Sequence, residues 1–157
     1  MSETRPTQIG VKLQIDSEVT RRIRQHARAH MKTEVCGVLI GEVCDDTVEV
    51  QASIEASSAA QAGTHVTFTQ DAWEEIYRVK DETYPDHRIV GWYHSHPDHP
   101  ARPSEYDREH AWPWYSYVIV SVAAGKPQDM TSWLLAADRA QFHEEQIERP
   151  VSAPPAK

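Results

Sequence analysis

The chain has 157 residues, 39% hydrophobic and 25% charged, the make-up of one soluble globular domain with its own core. Its 16 Lys and Arg stand against 24 Asp and Glu, a net charge of -8, so no basic stripe exists to neutralise phosphates and nucleic acid is excluded as a partner. No apolar run approaches the ~20 residues of a membrane-crossing helix, and residues 1–10 lack a signal-peptide stretch. A cytoplasmic protein with no membrane partner is therefore expected.

Val11-Lys-Leu-Gln-Ile15 alternates and predicts an opening strand after a flexible N-terminus of residues 1–10. Asp16 or Ser17 caps a helix to about Met31, with Val19, Ile23 and Ala27 forming one buried stripe and Arg21, Arg22, Arg24 and Arg28 a solvated face. Val35–Val43 reads as a central strand. Asp45-Asp46 turns the chain, and Thr47–Ile54 alternates as the returning strand. Cys36 and Cys44 flank this hairpin and are read as reduced core or near-core thiols, too few for a disulfide scaffold.

Glu55 to Thr64 is small and polar, hence a loop, and His65–Thr69 a short strand. A second helix runs from Asp71 to about Thr83, with Trp73, Ile76 and Tyr77 at helical spacing. Arg88–Tyr93 is an apolar strand that leads into His94-Ser-His96. Three prolines stiffen the loop Pro97 to Pro103, and Ser104-Glu-Tyr-Asp107 carries a helix-start signal. Tyr115–Val122 and Met130–Ala136 read as buried strands. Gln141–Arg149 is more polar and is expected at a sheet edge. Residues 150–157 read as a disordered tail. Together these elements predict a single α/β domain over 11–149, a mixed curved sheet of seven or eight strands flanked by two longer helices and one short one.

Period two puts both imidazoles of His94 and His96 on one strand face. Asp107, in the first turn of a helix, brings a carboxylate; taken alone, it reads as a helix-capping acid. Two nitrogens and an oxygen with a fourth position left for water describe a catalytic zinc site, since structural zinc sites use four protein ligands, mostly Cys. Ser95 points to the opposite face and reads as structural. His99, Arg102, Glu105 and His110 read as surface groups. Trp112, Trp114 and Tyr115 read as a core cluster rather than a ligand platform.

Glu34, then His94-Ser95-His96-Pro97, six residues, and Ser104-Glu-Tyr-Asp107 reproduce the pattern E…H-[S/T]-H-P-x6-S-x-x-D. The chain resembles the JAMM (MPN-plus) metalloproteases, and in compactness their bacterial JAB-domain members. The resemblance implies the MPN fold, which is cytidine-deaminase-like. It also implies one Zn²⁺ on His94, His96 and Asp107, with Glu34 as general base then acid and Ser104 stabilising the carbonyl oxygen. Ser104 is also the predicted N-cap, and the two demands compete.

The implied substrate is the Gly-Gly tail of a ubiquitin-like or sulfur-carrier protein, from which an extension, adduct or conjugated lysine is released. A non-catalytic MPN scaffold and a zinc hydrolase of a small amide are the alternatives, and the oligomeric state stays open. An extended tail needs a narrow groove, with Pro97–Pro103 expected as one wall and His65–Thr69 as the other.

Overall fold

A computed structural model describes residues 12–29, 34–56, 60–62, 65–67, 69–98, 100–113, 115–123 and 126–148, so the expectations for the N-terminus and the tail fall outside the described residues. In chain order the elements are β1 (Lys12–Ile15), α1 (Ser17–Ala29), β2 (Cys36–Cys44), β3 (Thr47–Glu55), β4 (Ala60–Ala62) and β5 (His65–Thr67). They continue with α2 (Gln70–Thr83), β6 (Arg88–Pro97), α3 (Glu105–His110), β7 (Ser116–Ala123), β8 (Lys126–Leu135) and β9 (Phe142–Glu148).

Seven strands form one mixed sheet in the order β1-β3-β2-β6-β7-β8-β9, and it closes on itself. The expected curved sheet thus becomes a barrel. The edge position expected for the last strand is overturned, because β9 pairs with β8 on one side and, in parallel, with β1 on the other. Strand β1 is only four residues long, yet it also pairs with β3, so this short piece joins what would be the two edges. The segment expected as a loop after Glu55 contains β4, which pairs with β5 in a separate two-stranded sheet.

Helix α1 packs on the concave face. Thr20 N–H donates to the Asp16 carbonyl, which places Asp16 as the N-cap of the two expected candidates. The stripe Val19, Ile23 and Ala27 is buried against Leu13, Leu39, Val118 and Val120. Helix α2 covers the outer face, where Ile76 packs with Val38, Ile40 and Ile54. Strand β2 thus has cover on both sides, which explains its unbroken apolar run. The thiols divide: Cys36 is buried, as expected of a core or near-core thiol, whereas Cys44 is exposed, against that expectation.

Strand β6 lies between β2 (antiparallel) and β7 (parallel). The parallel step requires a crossover, and α3 is that crossover. Gly37 of β2 sits under the ring of Tyr93: a Cβ there would lie 2.4 Å from the ring and 2.4 Å from the Ile54 carbonyl oxygen. Only glycine allows the aromatic ring preceding His94 to lie flat on the neighbouring strand.

Candidate metal centre

Trp92, His94 and His96 face outward from β6, while Tyr93 and Ser95 face α1 and the interior. Three atoms converge at the carboxyl end of the strand. His94 Nε2 lies 3.0 Å from His96 Nε2, and each is 3.4 Å from Asp107 Oδ2. Ligand atoms about 2.0–2.1 Å from a tetrahedral zinc stand about 3.3–3.4 Å apart, so this triangle is close to one face of such a site. Three lone-pair atoms this close repel one another unless a cation or a proton lies among them. The donor set, two imidazoles and a carboxylate, suits zinc.

Neighbouring groups hold these donors. His96 Nδ1 is 2.9 Å from the Pro100 carbonyl, so in the neutral ring that nitrogen carries the proton and Nε2 is left with its lone pair for the site. Asp107 is fixed by a capping box. Its backbone N–H donates to Ser104 Oγ at 3.0 Å, and Ser104 N–H donates to Asp107 Oδ2 at 2.8 Å. The box uses Ser104 Oγ only as an acceptor. The hydroxyl proton can still point elsewhere, so the two demands on Ser104 are compatible.

The electrostatics are those of a site built for positive charge. Burial pushes the Asp107 carboxyl up, but hydrogen bonds from His94 and His96, the charge of His94 and the Ser104 N–H outweigh it and hold the group far below the usual carboxylate range. Burial lowers His96, but the Asp107 hydrogen bond, the Pro100 carbonyl and the charges of Asp107 and Glu34 together raise it above its ordinary 6.5.

Glu34 precedes β2 and lines the same groove as His94 and Asp107. Its neighbour Val35 is tied to β6 twice: Val35 N–H donates to Ser95 Oγ at 2.9 Å, and Ser95 N–H donates to the Val35 carbonyl at 3.0 Å. Ser95, structural as expected, thus anchors the backbone beside Glu34. Cys36 lies opposite His94 in the ladder. Burial, and then the Glu34 charge, push its thiol up to about 12, so it stays protonated and poorly nucleophilic.

The groove encloses about 360 Å³. Beyond the donors its walls are aromatic, with Trp73 of α2, Trp92 of β6, Tyr117 of β7, Phe142 of β9 and Trp112 after α3. Pro103, from the expected first wall, lines it, as does Trp73, which meets Trp92 edge-on at 5.1 Å. The side chains of residues 65–68, the other expected wall, lie outside the described set.

Residues 16–136 match Prok-JAB, the prokaryotic homologs of the JAB domain. The chain belongs to this family. The JAB chain is 37% identical over 99 residues to the desampylase of Haloferax volcanii, covering 62% of this chain and 69% of that one. It is 35% identical over 89 residues to the ubiquitin carboxyl-terminal hydrolase RPN11 of Saccharomyces cerevisiae, 53% of this chain but only 28% of that longer protein. The solution structure of a protein from Salinibacter ruber superposes with a TM-score of 0.66 at 35% identity, covering 92% of this chain and 95% of that one. A second, from Desulfitobacterium hafniense, gives 0.71 at 30% identity, with 89% and 95% covered. The JAMM resemblance of the motif is thereby borne out.

Three features of this JAB domain escaped the sequence. Arg139, in the β8–β9 turn, donates to the carbonyl of Ala111, the C-cap of α3, at 2.8 Å and to that of Glu109, in the last turn, at 3.2 Å. Arg108 of α3 returns a bond to the Arg139 carbonyl at 2.9 Å. Arg139 takes a left-handed backbone, φ 63, which a non-glycine residue adopts rarely. Trp112, expected in the core, is 65% exposed on the groove rim. Phe142 reaches the groove from the far end of the sheet. No local spacing signals any of these, because each depends on a contact between distant segments. Of the weaker candidates, Arg102 and Glu105 are at the surface, His110 is exposed but lines the groove, and His99 is outside the described residues.

Proposed function

We propose that this chain is a zinc-dependent peptidase or isopeptidase that cleaves after the C-terminal Gly-Gly of a ubiquitin-like or sulfur-carrier protein. The observation that carries the proposal is the triangle of His94, His96 and Asp107 with Glu34 in the same groove. The names of the relatives, a desampylase and a ubiquitin carboxyl-terminal hydrolase, favour a substrate of that class.

His94, His96 and Asp107 would hold the ion, and Zn²⁺ bound there supplies a water of pKa about 7 and a Lewis acid for the carbonyl. Glu34 takes the proton of the attacking water and passes it to the leaving amine. Ser104 O–H donates to the carbonyl oxygen as it gains charge. Its oxygen stays on the Asp107 N–H meanwhile, so the capping box also orients the donor.

The test combines metal content with turnover. Glu34→Gln keeps the shape and removes the base. Cleavage of a carrier ending in Gly-Gly plus a short extension should fall by about 10²–10⁴ while zinc content holds. His94→Ala and His96→Ala should lose most of the zinc by elemental analysis. Near-normal turnover in zinc-replete Glu34→Gln protein would refute the assignment of the base, and a zinc-replete wild type inert on every such carrier would refute the substrate class.

A further inference from the structure

The groove is lined by Glu34, His94 and Asp107 but not by Ser104. His96 is buried beside them, its Nε2 3.0 Å from His94 Nε2. Glu34 is the residue that hands a proton to the leaving amine; Ser104 is the one that meets the carbonyl oxygen. On the reading of the preceding subsection, on which this inference rests, the groove therefore extends to the leaving-group side of the scissile bond.

Its walls fix the chemistry of what enters. Trp73, Trp92, Trp112 and Phe142 supply flat apolar surface. Among the described residues no Lys or Arg lines the space, and the one basic-type side chain there beyond the metal donors is His110, whose Nδ1 lies 2.9 Å from the Tyr106 carbonyl. The volume of about 360 Å³ falls at the small-ligand end of binding sites, room for a single residue rather than a folded partner. Tyr77 and Trp112 are the exposed large hydrophobic side chains among the described residues. Trp112 lines this groove, whereas Tyr77 lines a separate hollow with Lys80 and Arg88 and touches the groove only by stacking on Trp73 at 5.6 Å. Large apolar side chains left in water at the mouth of a site mark a place where a ligand covers them.

We propose that the groove between α2 and α3 is the leaving-group pocket, and that it selects a leaving residue with a large apolar side chain. Hydrolysis adds water across the amide: the carrier's glycine carboxylate and the free amine of that residue are the products. Trp112 is then a specificity-determining residue that lies against the leaving side chain. Because it is mostly exposed, its removal leaves the core intact.

The experiment uses the zinc-loaded full chain and a ubiquitin-like carrier ending in Gly-Gly-X, with X being Phe, Leu, Ala or Asp. Wild type should prefer Phe and Leu over Ala and Asp by at least tenfold in kcat/KM. In Trp112→Ala the preference should shrink below threefold at unchanged zinc content. Equal rates for all four carriers in wild type would overturn the pocket and leave the proposed function standing. If no carrier is cleaved, the proposed function fails, and binding decides the pocket separately. Phenylalanine amide should quench the tryptophan fluorescence of metal-free protein saturably, and more tightly than glycine amide. Equal or absent quenching by the two amides would overturn it.

Discussion

Removing the Arg139 side chain should weaken metal binding without dismantling the fold. Helix α3 has six residues, none fully buried and three half-buried, so packing alone holds it only weakly against the sheet. Six residues are also too few for a helix to persist alone in water. Its N-terminal end is tied by the Ser104–Asp107 box and its C-terminal end by Arg139. A hydrogen bond to a charged donor contributes about 1.5–3 kcal/mol, and a cation at a helix C-terminus about 0.3–1 kcal/mol. Only the Ala111 contact is partly shielded from water, so it alone counts near the stated value, and the exposed contacts to Glu109 and Arg108 add little. The clamp is thus worth about 2 kcal/mol. Without it, zinc binding must also order α3, and about 2 kcal/mol corresponds to a roughly thirtyfold higher Kd. Competition against a chromogenic chelator measures this directly, with circular dichroism confirming the fold. Arg139→Lys, which keeps the charge but not the planar fork, should fall between. A zinc Kd within twofold of wild type in Arg139→Ala would refute the argument that polar end contacts place Asp107.

Three further outcomes follow from the same geometry. His96 is raised, so in metal-free protein its charged pairing with Asp107 stabilises the fold fully below the ordinary imidazole value of 6.5 and is lost as pH rises through the raised one. Zinc needs the neutral ring, so its affinity should climb with pH to that raised value and then level. Calorimetry in buffers of different ionisation enthalpy should detect proton release near pH 6.5, and none released would contradict this. Gly37→Ala must displace Tyr93 or the Ile54 backbone and should destabilise by about 1–3 kcal/mol in urea titrations; an unchanged midpoint would show that the ring shifts freely. Iodoacetamide should label Cys44 and spare Cys36 in the native protein, with hydrolysis unaffected; mass spectrometry finding Cys36 modified would overturn its assignment as a buried, protonated thiol.

The donor triad was legible because its determinants are local. Strand period sets the shared face of His94 and His96, and the capping spacing from Ser104 sets Asp107. The same holds for α1, whose four-residue stripe is the stripe that packs. What stayed hidden depends on partners far along the chain. Strand β9 alternates like an edge strand, and nothing within Phe142–Glu148 reveals that β1 lies beside it. Trp112 is a bulky apolar residue, which hydrophobicity alone assigns to the core, yet it lies at the mouth of the groove. Arg139 reads as an ordinary turn residue until the carbonyls of α3 are placed within its reach.

The pairing of Leu13 with Ile147 has a bearing on how this chain is made. The register that joins β1 to β9 links residues near opposite ends of the described chain, among the least local contacts of the described residues. Such contacts form slowly, since a long loop must be ordered before they return any stabilisation. During synthesis α1 and the β2–β3 hairpin emerge first, while β1 has one neighbour and waits for another. That second neighbour is the last of the described strands to leave the ribosome. Until it arrives, β1 and β8 each present an open ladder of N–H and C=O groups, so the nascent protein passes through a stage at which association between chains competes with completion.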